Sequence, residues 1–252
     1  TWFTMVGVTG LVTVLLLLRH ARRDQVDRGA VATAVITTYL AAIAGGIAIP
    51  AVIELATTGR PRFVGMTSFW GYLVGTVAMI EACRRARVPL GWMADRITPA
   101  LGISLGLIRV GCFLAGCDYG QITSVPWAVR FPRASAAWRD HVEHGLVPAT
   151  RAASLPVHPT QLYEAALGVA IALMAWQYNR RWARVGSGRT FVAAAAAYCG
   201  VRLGIENLRG DGVRGFVGGL SSGQVFALTV LAAIAVAAAT AAWRRRAAAL
   251  GS

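Results

Sequence analysis

The sequence predicts an all-α integral membrane protein with seven transmembrane helices, and three observations lead there. Of its 252 residues 56% are hydrophobic and 14% charged, with a mean hydropathy of +0.55. A soluble domain carries about a quarter charged residues. Seven segments approach the roughly 20 apolar residues needed to cross a hydrocarbon core. The arginines between them alternate in density along the chain, as topology-setting charges do.

The predicted spans run from about 2 to 18, 30 to 53, 66 to 83, 98 to 117, 160 to 178, 189 to 205 and 221 to 243. Spans two and four carry glycines (Gly45, Gly46; Gly102, Gly106) that let neighbouring helices approach closely. Span seven, "VFALTVLAAIAVAAATAAW", is the most uniformly apolar. All 25 basic residues are arginine, and 15 of them follow the odd-numbered spans: Arg19, Arg22, Arg23 and Arg28; Arg84, Arg85, Arg87 and Arg96; Arg180, Arg181, Arg184 and Arg189; Arg244, Arg245 and Arg246. The positive-inside rule makes that side cytoplasmic, with the amino terminus outside and the carboxyl terminus inside.

The outer side receives a short loop with Arg60 and Arg62, a stretch from 206 to 220, and a segment of about 40 residues, 118 to 157. The prolines and tryptophans of that last segment predict a small ordered extracytoplasmic cap within one seven-helix domain, 1 to 252. The net charge of +14 does not indicate a nucleic-acid binder, because the arginines form no continuous stripe. Cys83 and Cys199 lie inside apolar runs and read as small hydrophobic residues. The chain opens on an apolar run without a cleavable leader. It starts at Thr1 rather than Met and closes on Gly251 and Ser252, which suggests a few missing native residues and an appended dipeptide.

Three polar groups fall at predicted outer ends of spans. In "RVGCFLAGCDYG", Arg109 lies about two turns before the end of span four. A charge within the membrane costs about 2.5–3.5 kcal/mol and marks a functional site, unless it snorkels or pairs with a carboxylate. In "YCGVRLGIENLRGDG", Arg202, Glu206 and Arg209 share one face if the helix continues. They are either an ion-pair ladder or a guanidinium clamp for an anion. In "HPTQLYE", Pro159 suits a first helical turn, His158 its cap, and Gln161 and Glu164 one face. Together the groups outline an arginine-rich cavity opening outward, fit for a lipid phosphate.

These motifs resemble those of the bacterial prolipoprotein diacylglyceryl transferases. "HPTQLYE" is similar to that family's His-Pro-Ser/Thr-Gln-Leu-Tyr-Glu. "RVGCFLAGCDYG" resembles a signature running roughly Gly-Arg-x-Gly-Asn-Phe-x-Asn-Gly-Glu to a final Gly, and "RLGIENLR" resembles Arg-Phe-x-x-Glu-x-x-Arg. The resemblance implies transfer of the diacylglyceryl group of phosphatidylglycerol to the lipobox cysteine of a preprolipoprotein, forming a thioether and releasing glycerol phosphate. It implies a multi-pass protein of the bacterial inner membrane, with its site facing the outer leaflet and with no metal or cofactor. Arg109 and Arg202 match arginines that would grip the phosphate. Glu206 and Arg209 complete the second arginine motif, and Gly116 and Gly120 match signature glycines. His158, Gln161, Tyr163 and Glu164 would shape and orient the cavity, with His158 also a candidate catalytic group.

The departures from the family pattern fall elsewhere. Trp70, in "SFWGYLVG", occupies the place of a histidine that could activate the thiol, and Cys112 and Cys117 replace the signature asparagine and acid. An arginine near the outer end of span two is absent from "AGGIAIPAV", and "WFTM" stands for a Tyr-Gly pair in span one. The lipid-phosphate residues are kept while those suited to thiol activation change. A different acceptor, or lipid binding without catalysis, therefore remains an open alternative. Cys112 and Cys117 could form a disulfide if the helix breaks at Gly116, since on a regular helix they would not face each other; the alternative is that one of them is a nucleophile or a redox-sensitive group. Two cysteines alone give no zinc-site spacing.

Overall fold

The structure is a computed structural model that describes residues 2–60, 68–181, 186–211 and 216–250. Arg62, Arg184, the first residues of the predicted third span, Thr1, Gly251 and Ser252 lie outside the described residues. The described chain is helical: α1 (Trp2–Arg23), α2 (Arg28–Thr58), α3 (Ser68–Arg85), α4 (Leu90–Ala115), α5 (Ala136–Glu143), α6 (Thr160–Arg181), α7 (Arg189–Glu206) and α8 (Ser222–Leu250). One antiparallel hairpin, β1 (Phe216–Val217) with β2 (Leu220–Ser221), precedes α8.

Three of the helices, α2, α4 and α8, are long and apolar enough to cross a membrane. α2 starts where the Asp27 side chain accepts a hydrogen bond from the Ala30 amide, 3.0 Å, and it stops at Gly59, whose left-handed backbone no side chain favours. Large apolar side chains face outward along the helices, including Leu40 at 62%, Leu173 at 60% and Val236 at 63% exposure. A surface this apolar suits hydrocarbon rather than water.

Two of the glycines singled out in the sequence sit at helix crossings. A Cβ on Gly102 of α4 would lie 2.6 Å from the Ala172 nitrogen and 2.7 Å from the Gly168 oxygen of α6. One on Gly45 of α2 would lie 2.6 Å from Val74 Cβ of α3. Without a hydrophobic drive between helices in lipid, such close backbone approach supplies much of the association.

The start of α4 corrects the sequence reading. The helix begins at Leu90, eight residues before the predicted span, so Arg96 is helical and buried rather than in a loop. Its guanidinium pairs with Asp24 at 2.6 Å, and Trp92 Nε1 donates to the same carboxylate at 2.8 Å, tying α4 to the end of α1. Asp95, 1% exposed, accepts the backbone N–H groups of Gly186, Gly188 and Thr190 at 3.0 Å each, which caps α7. The charges that broke the apolar run are thus pinned by partners. Leu17, Val31, Cys83, Trp92 and Met93 form an apolar core at this end.

At the opposite end, residues 118–157 are ordered around α5. Bridges join Ile122 and Val129 to Val157 and Pro132 to Ala153, over a cluster of Tyr119, Phe131, Ala137 and Val157. The Tyr119 hydroxyl donates to the Asp140 carboxylate.

Candidate active site

The site begins at the end of α4. Gly116 has φ +69°, its N–H bonds the Phe113 oxygen at 3.1 Å, and the Cys117 N–H bonds the Cys112 oxygen at 3.2 Å. This is a Schellman ending, which reverses the chain directly after the helix. A Cβ at Gly116 would also meet Ser135 Cβ at 2.9 Å. The reversal delivers Asp118, itself at φ +56°, to the space between Arg109 and the loop after α7.

Gly120 then runs between two other motif segments. Its N–H bonds the His158 oxygen at 2.9 Å, while the next residue, Gln121, donates to the Leu208 oxygen at 2.7 Å. The Gly210 N–H returns to the Tyr119 oxygen at 3.0 Å. A Cβ on Gly120 would come within 2.5 Å of His158 Cβ and 2.9 Å of the Leu208 oxygen, so the three motifs meet only around a glycine.

The start of α6 completes the junction. Thr160 Oγ1 donates to the Asp118 oxygen at 2.8 Å and Gln161 Nε2 to the Cys117 oxygen at 2.6 Å, both from buried positions. One turn on, Glu164 is 1% exposed and stands between two arginines: Oε1 accepts from Arg202 Nη1 at 2.6 Å, and Oε2 lies 2.9 Å from Arg109 Nε. The second contact is an ion pair without hydrogen-bond alignment.

The charges continue in both directions. Arg202 Nη2 pairs with Glu206 at 2.7 Å. Arg109 Nη1 bonds Asp118 Oδ2 at 2.8 Å, and Arg209 Nη2 bonds Asp118 Oδ1 at 2.8 Å and Asp211 Oδ2 at 2.6 Å. The result is one alternating chain: Glu206, Arg202, Glu164, Arg109, Asp118, Arg209, Asp211. Burial pushes the Asp118 carboxyl up, but Arg209 and Arg109 overcome that and hold it below its ordinary value. For Arg209, burial pulls the other way, and Asp211 and Asp118 hold it strongly in the charged form. An arginine chain of this kind presents to an anion only those N–H groups its carboxylates leave free.

Arg109, Arg202, Glu206, Arg209 and Glu164 come together, with Gly116 and Gly120 shaping the turn and the junction. The helical face expected for Arg202, Glu206 and Arg209 does not extend that far: α7 ends at Glu206, and Arg209 reaches the chain from the following loop. His158 lies beside it rather than within it, its Nδ1 3.2 Å from the Tyr163 hydroxyl, which also accepts from Trp127 Nε1 at 2.7 Å. Cys112 and Cys117 are free thiols. Trp70 is partly buried in the first turn of α3.

Sequence reasoning missed Asp118, Asp211 and Gly223. Cys117 stands where the signature has its acid, yet the next residue supplies a carboxylate to both neighbouring arginines. Gly223, in the first turn of α8, leaves room for the ion pair beneath it: a Cβ there would lie 2.9 Å from Glu206 Oε2 and 3.3 Å from Arg202 Nη2. Beside this pair opens a cleft of about 400 Å³ between Gln121, Asn207 and the turn at Gly219 to Ser221, with Glu206 in its wall.

Known proteins are similar to this chain in sequence. A phosphatidylglycerol–prolipoprotein diacylglyceryl transferase of Clostridium tetani is 26% identical over 230 residues, covering 89% of this chain and 86% of the relative. The Rhodococcus jostii enzyme of the same name is 34% identical over 151 residues, 58% of this chain and 41% of the relative. The second such enzyme of Streptomyces coelicolor is 32% identical over 173 residues, 68% and 50%. The chain thus spans half or less of the Rhodococcus and Streptomyces relatives. The family model described as prolipoprotein diacylglyceryl transferase matches residues 1–240, nearly the whole chain, so this transferase belongs to the prolipoprotein diacylglyceryl transferase family.

Proposed function

We propose that this protein transfers the diacylglyceryl group of phosphatidylglycerol to the lipobox cysteine of a preprolipoprotein, from a site open to the outer leaflet of the bacterial inner membrane. Seven long helices cross the bilayer with the amino terminus outside, and residues 118–157 cap the outer face. The observation that carries this reading is the joining of Arg109 and Arg202 on the buried Glu164. Two guanidiniums fixed by one carboxylate keep a constant spacing, and their remaining N–H groups can take a phosphodiester. As the glyceryl carbon-to-oxygen bond breaks and the thiolate sulfur takes the carbon, charge grows on the leaving phosphate, where such preorganised donors stabilise it. His158, Gln161 and Tyr163 shape the cavity wall, and Gly116 and Gly120 let the chain fold around it.

The test is to incubate purified protein with phosphatidylglycerol and a lipobox peptide and look for the thioether mass together with released glycerol phosphate. Both products are expected from the wild type and neither from Arg202→Ala. Lipid binding without either product would overturn the enzymatic reading. Trp70 in place of the family histidine favours one alternative, a different thiol or hydroxyl acceptor. Failure to rescue a strain depleted of its own lipoprotein transferase, with lipid turnover intact, would favour that alternative.

A further inference from the structure

We propose that Cys112 and Cys117 are a modification site: a vicinal thiol pair that closes reversibly to an intramolecular disulfide by exchange with a small-molecule or protein disulfide, stapling the turn that presents Asp118. The two residues stand five apart, a spacing that on a continuous helix turns them away from each other. The Schellman ending changes this. Its 6→1 hydrogen bond joins the Cys117 N–H to the Cys112 oxygen, and the side chains at those two positions are the ones that pack together across the motif. The Cys117 thiol follows its own backbone and donates to the same oxygen at 3.6 Å. Both sulfurs and the Asp118 carboxylate fall within 4.8 Å of one another. Closing the bond takes the sulfurs from within 4.8 Å to about 2.05 Å.

The backbone around the pair is already fixed. Gln161 holds the Cys117 carbonyl and Thr160 the Asp118 carbonyl, so the loop is ordered before any bond forms. Exposure separates the two roles. Cys112 is 4% exposed, whereas Cys117 is partly accessible. In the first step the Cys117 thiolate attacks an external disulfide, forming a mixed disulfide and expelling one thiol. In the second, the Cys112 thiolate attacks the Cys117 sulfur and expels the other. Two protons leave the protein, and its two electrons reduce the external disulfide to two thiols.

A thiophilic metal ion is the competing occupant of the same three groups. Both oxygens of Asp118 already accept from guanidiniums, Oδ2 from Arg109 and Oδ1 from Arg209, so a cation would lie against two fixed positive charges. A neutral disulfide meets no such repulsion.

The experiment uses the whole protein in detergent, equilibrated with glutathione buffers of graded redox ratio, quenched in acid, alkylated and digested at arginine. Cys112 and Cys117 share the 110–130 peptide, separate from those containing Cys83 and Cys199. Expected is an unalkylated 110–130 peptide, two hydrogen masses lighter than the dithiol, that appears with oxidation and disappears on reduction while Cys83 and Cys199 stay alkylated. Cys112→Ser should instead trap glutathione on Cys117, a readout that tests the order of attack in a near-isosteric variant. Two alkylated thiols at every redox ratio would overturn the proposal. Stoichiometric zinc binding that protects both thiols from oxidation would overturn it in favour of a metal site.

Discussion

Glu164 and Arg202 are joined by a 2.6 Å hydrogen bond between side chains that are 1% and 9% exposed, and the other carboxylate oxygen meets Arg109. Removing one partner of a buried pair strands the other and costs about 3–5 kcal/mol. In Glu164→Ala, Arg202 keeps Glu206 and Arg109 keeps Asp118, so neither guanidinium is stranded and unfolding stability in detergent should fall by less than that amount. Glu164→Gln retains the shape and one acceptor, so its loss should be smaller. Equal melting temperatures for wild type and Glu164→Ala would remove Glu164 from the centre of the network.

Arg109 meets Glu164 through Nε and Asp118 through Nη1, two directions from one planar group. A lysine ammonium is a single point charge and cannot hold both while also facing a phosphate. Arg109→Lys should therefore lose roughly 10²–10³ in turnover, the range for removing one preorganised donor, with a smaller effect on stability than Arg109→Ala. A lysine variant with wild-type turnover would show that charge alone suffices there.

Asp118 sets an acid limit. Its carboxyl lies below the ordinary value in the folded protein, so the stability it contributes is full above the unfolded value, about 3.9, and is lost as pH falls through the folded one. Unfolding measured between pH 7 and pH 3 should show a declining acid limb that Asp118→Asn flattens, starting from a lower plateau at pH 7. An unchanged acid limb in that variant would assign it to other carboxylates.

Glycine positions separate junction from scaffold. Gly120→Ala puts a methyl 2.5 Å from His158 Cβ and 2.6 Å from the His158 oxygen, where backbone cannot yield, and should cost both fold and activity. Gly223→Ala crowds the Arg202 and Glu206 side chains and should lower activity more than stability. Gly200→Ala in α7 meets nothing within 4 Å and should stabilise by about 0.5–1 kcal/mol. Comparing the three variants by melting temperature and turnover checks this ordering.

Much of this arrangement was legible in the sequence because membrane helices declare themselves through composition, and because three polar motifs at span ends resemble those of one family. The limits are local. Asp95 and Arg96 made residues 90–97 read as a loop, since their partners, the α7 amides and Asp24, lie far away in sequence. The shared face of Arg202, Glu206 and Arg209 depends on the helix continuing, and spacing alone cannot show that α7 stops at Glu206. Asp118 does not stand out in the sequence because its role depends on a left-handed turn that moves a carboxylate one residue beyond its expected place. Each miss lies where tertiary contacts, rather than local pattern, decide the outcome.

His141 gives a pH response in the cap with the opposite chemistry to Asp118. It is 2% exposed, stacks edge-on against Tyr119, and its Nδ1 accepts the Leu155 amide at 3.2 Å, which requires a neutral ring at that atom. Burial lowers its pKa, partly opposed by Asp140, while His144 adds to the lowering. A lowered histidine binds its proton more readily when unfolded, so the cap should lose stability as pH falls below about 6.5. The exposed His144, raised by its bond to the Asp140 carbonyl and by that residue's charge, has the reverse sign and offsets part of the loss. Hydrogen exchange at the Leu155 amide, corrected for its intrinsic rate, should be faster at pH 5.5 than at pH 7.5. In His141→Gln, whose amide oxygen can accept the same bond without titrating, the difference should shrink, and a difference of wild-type size there would place the titrating group elsewhere.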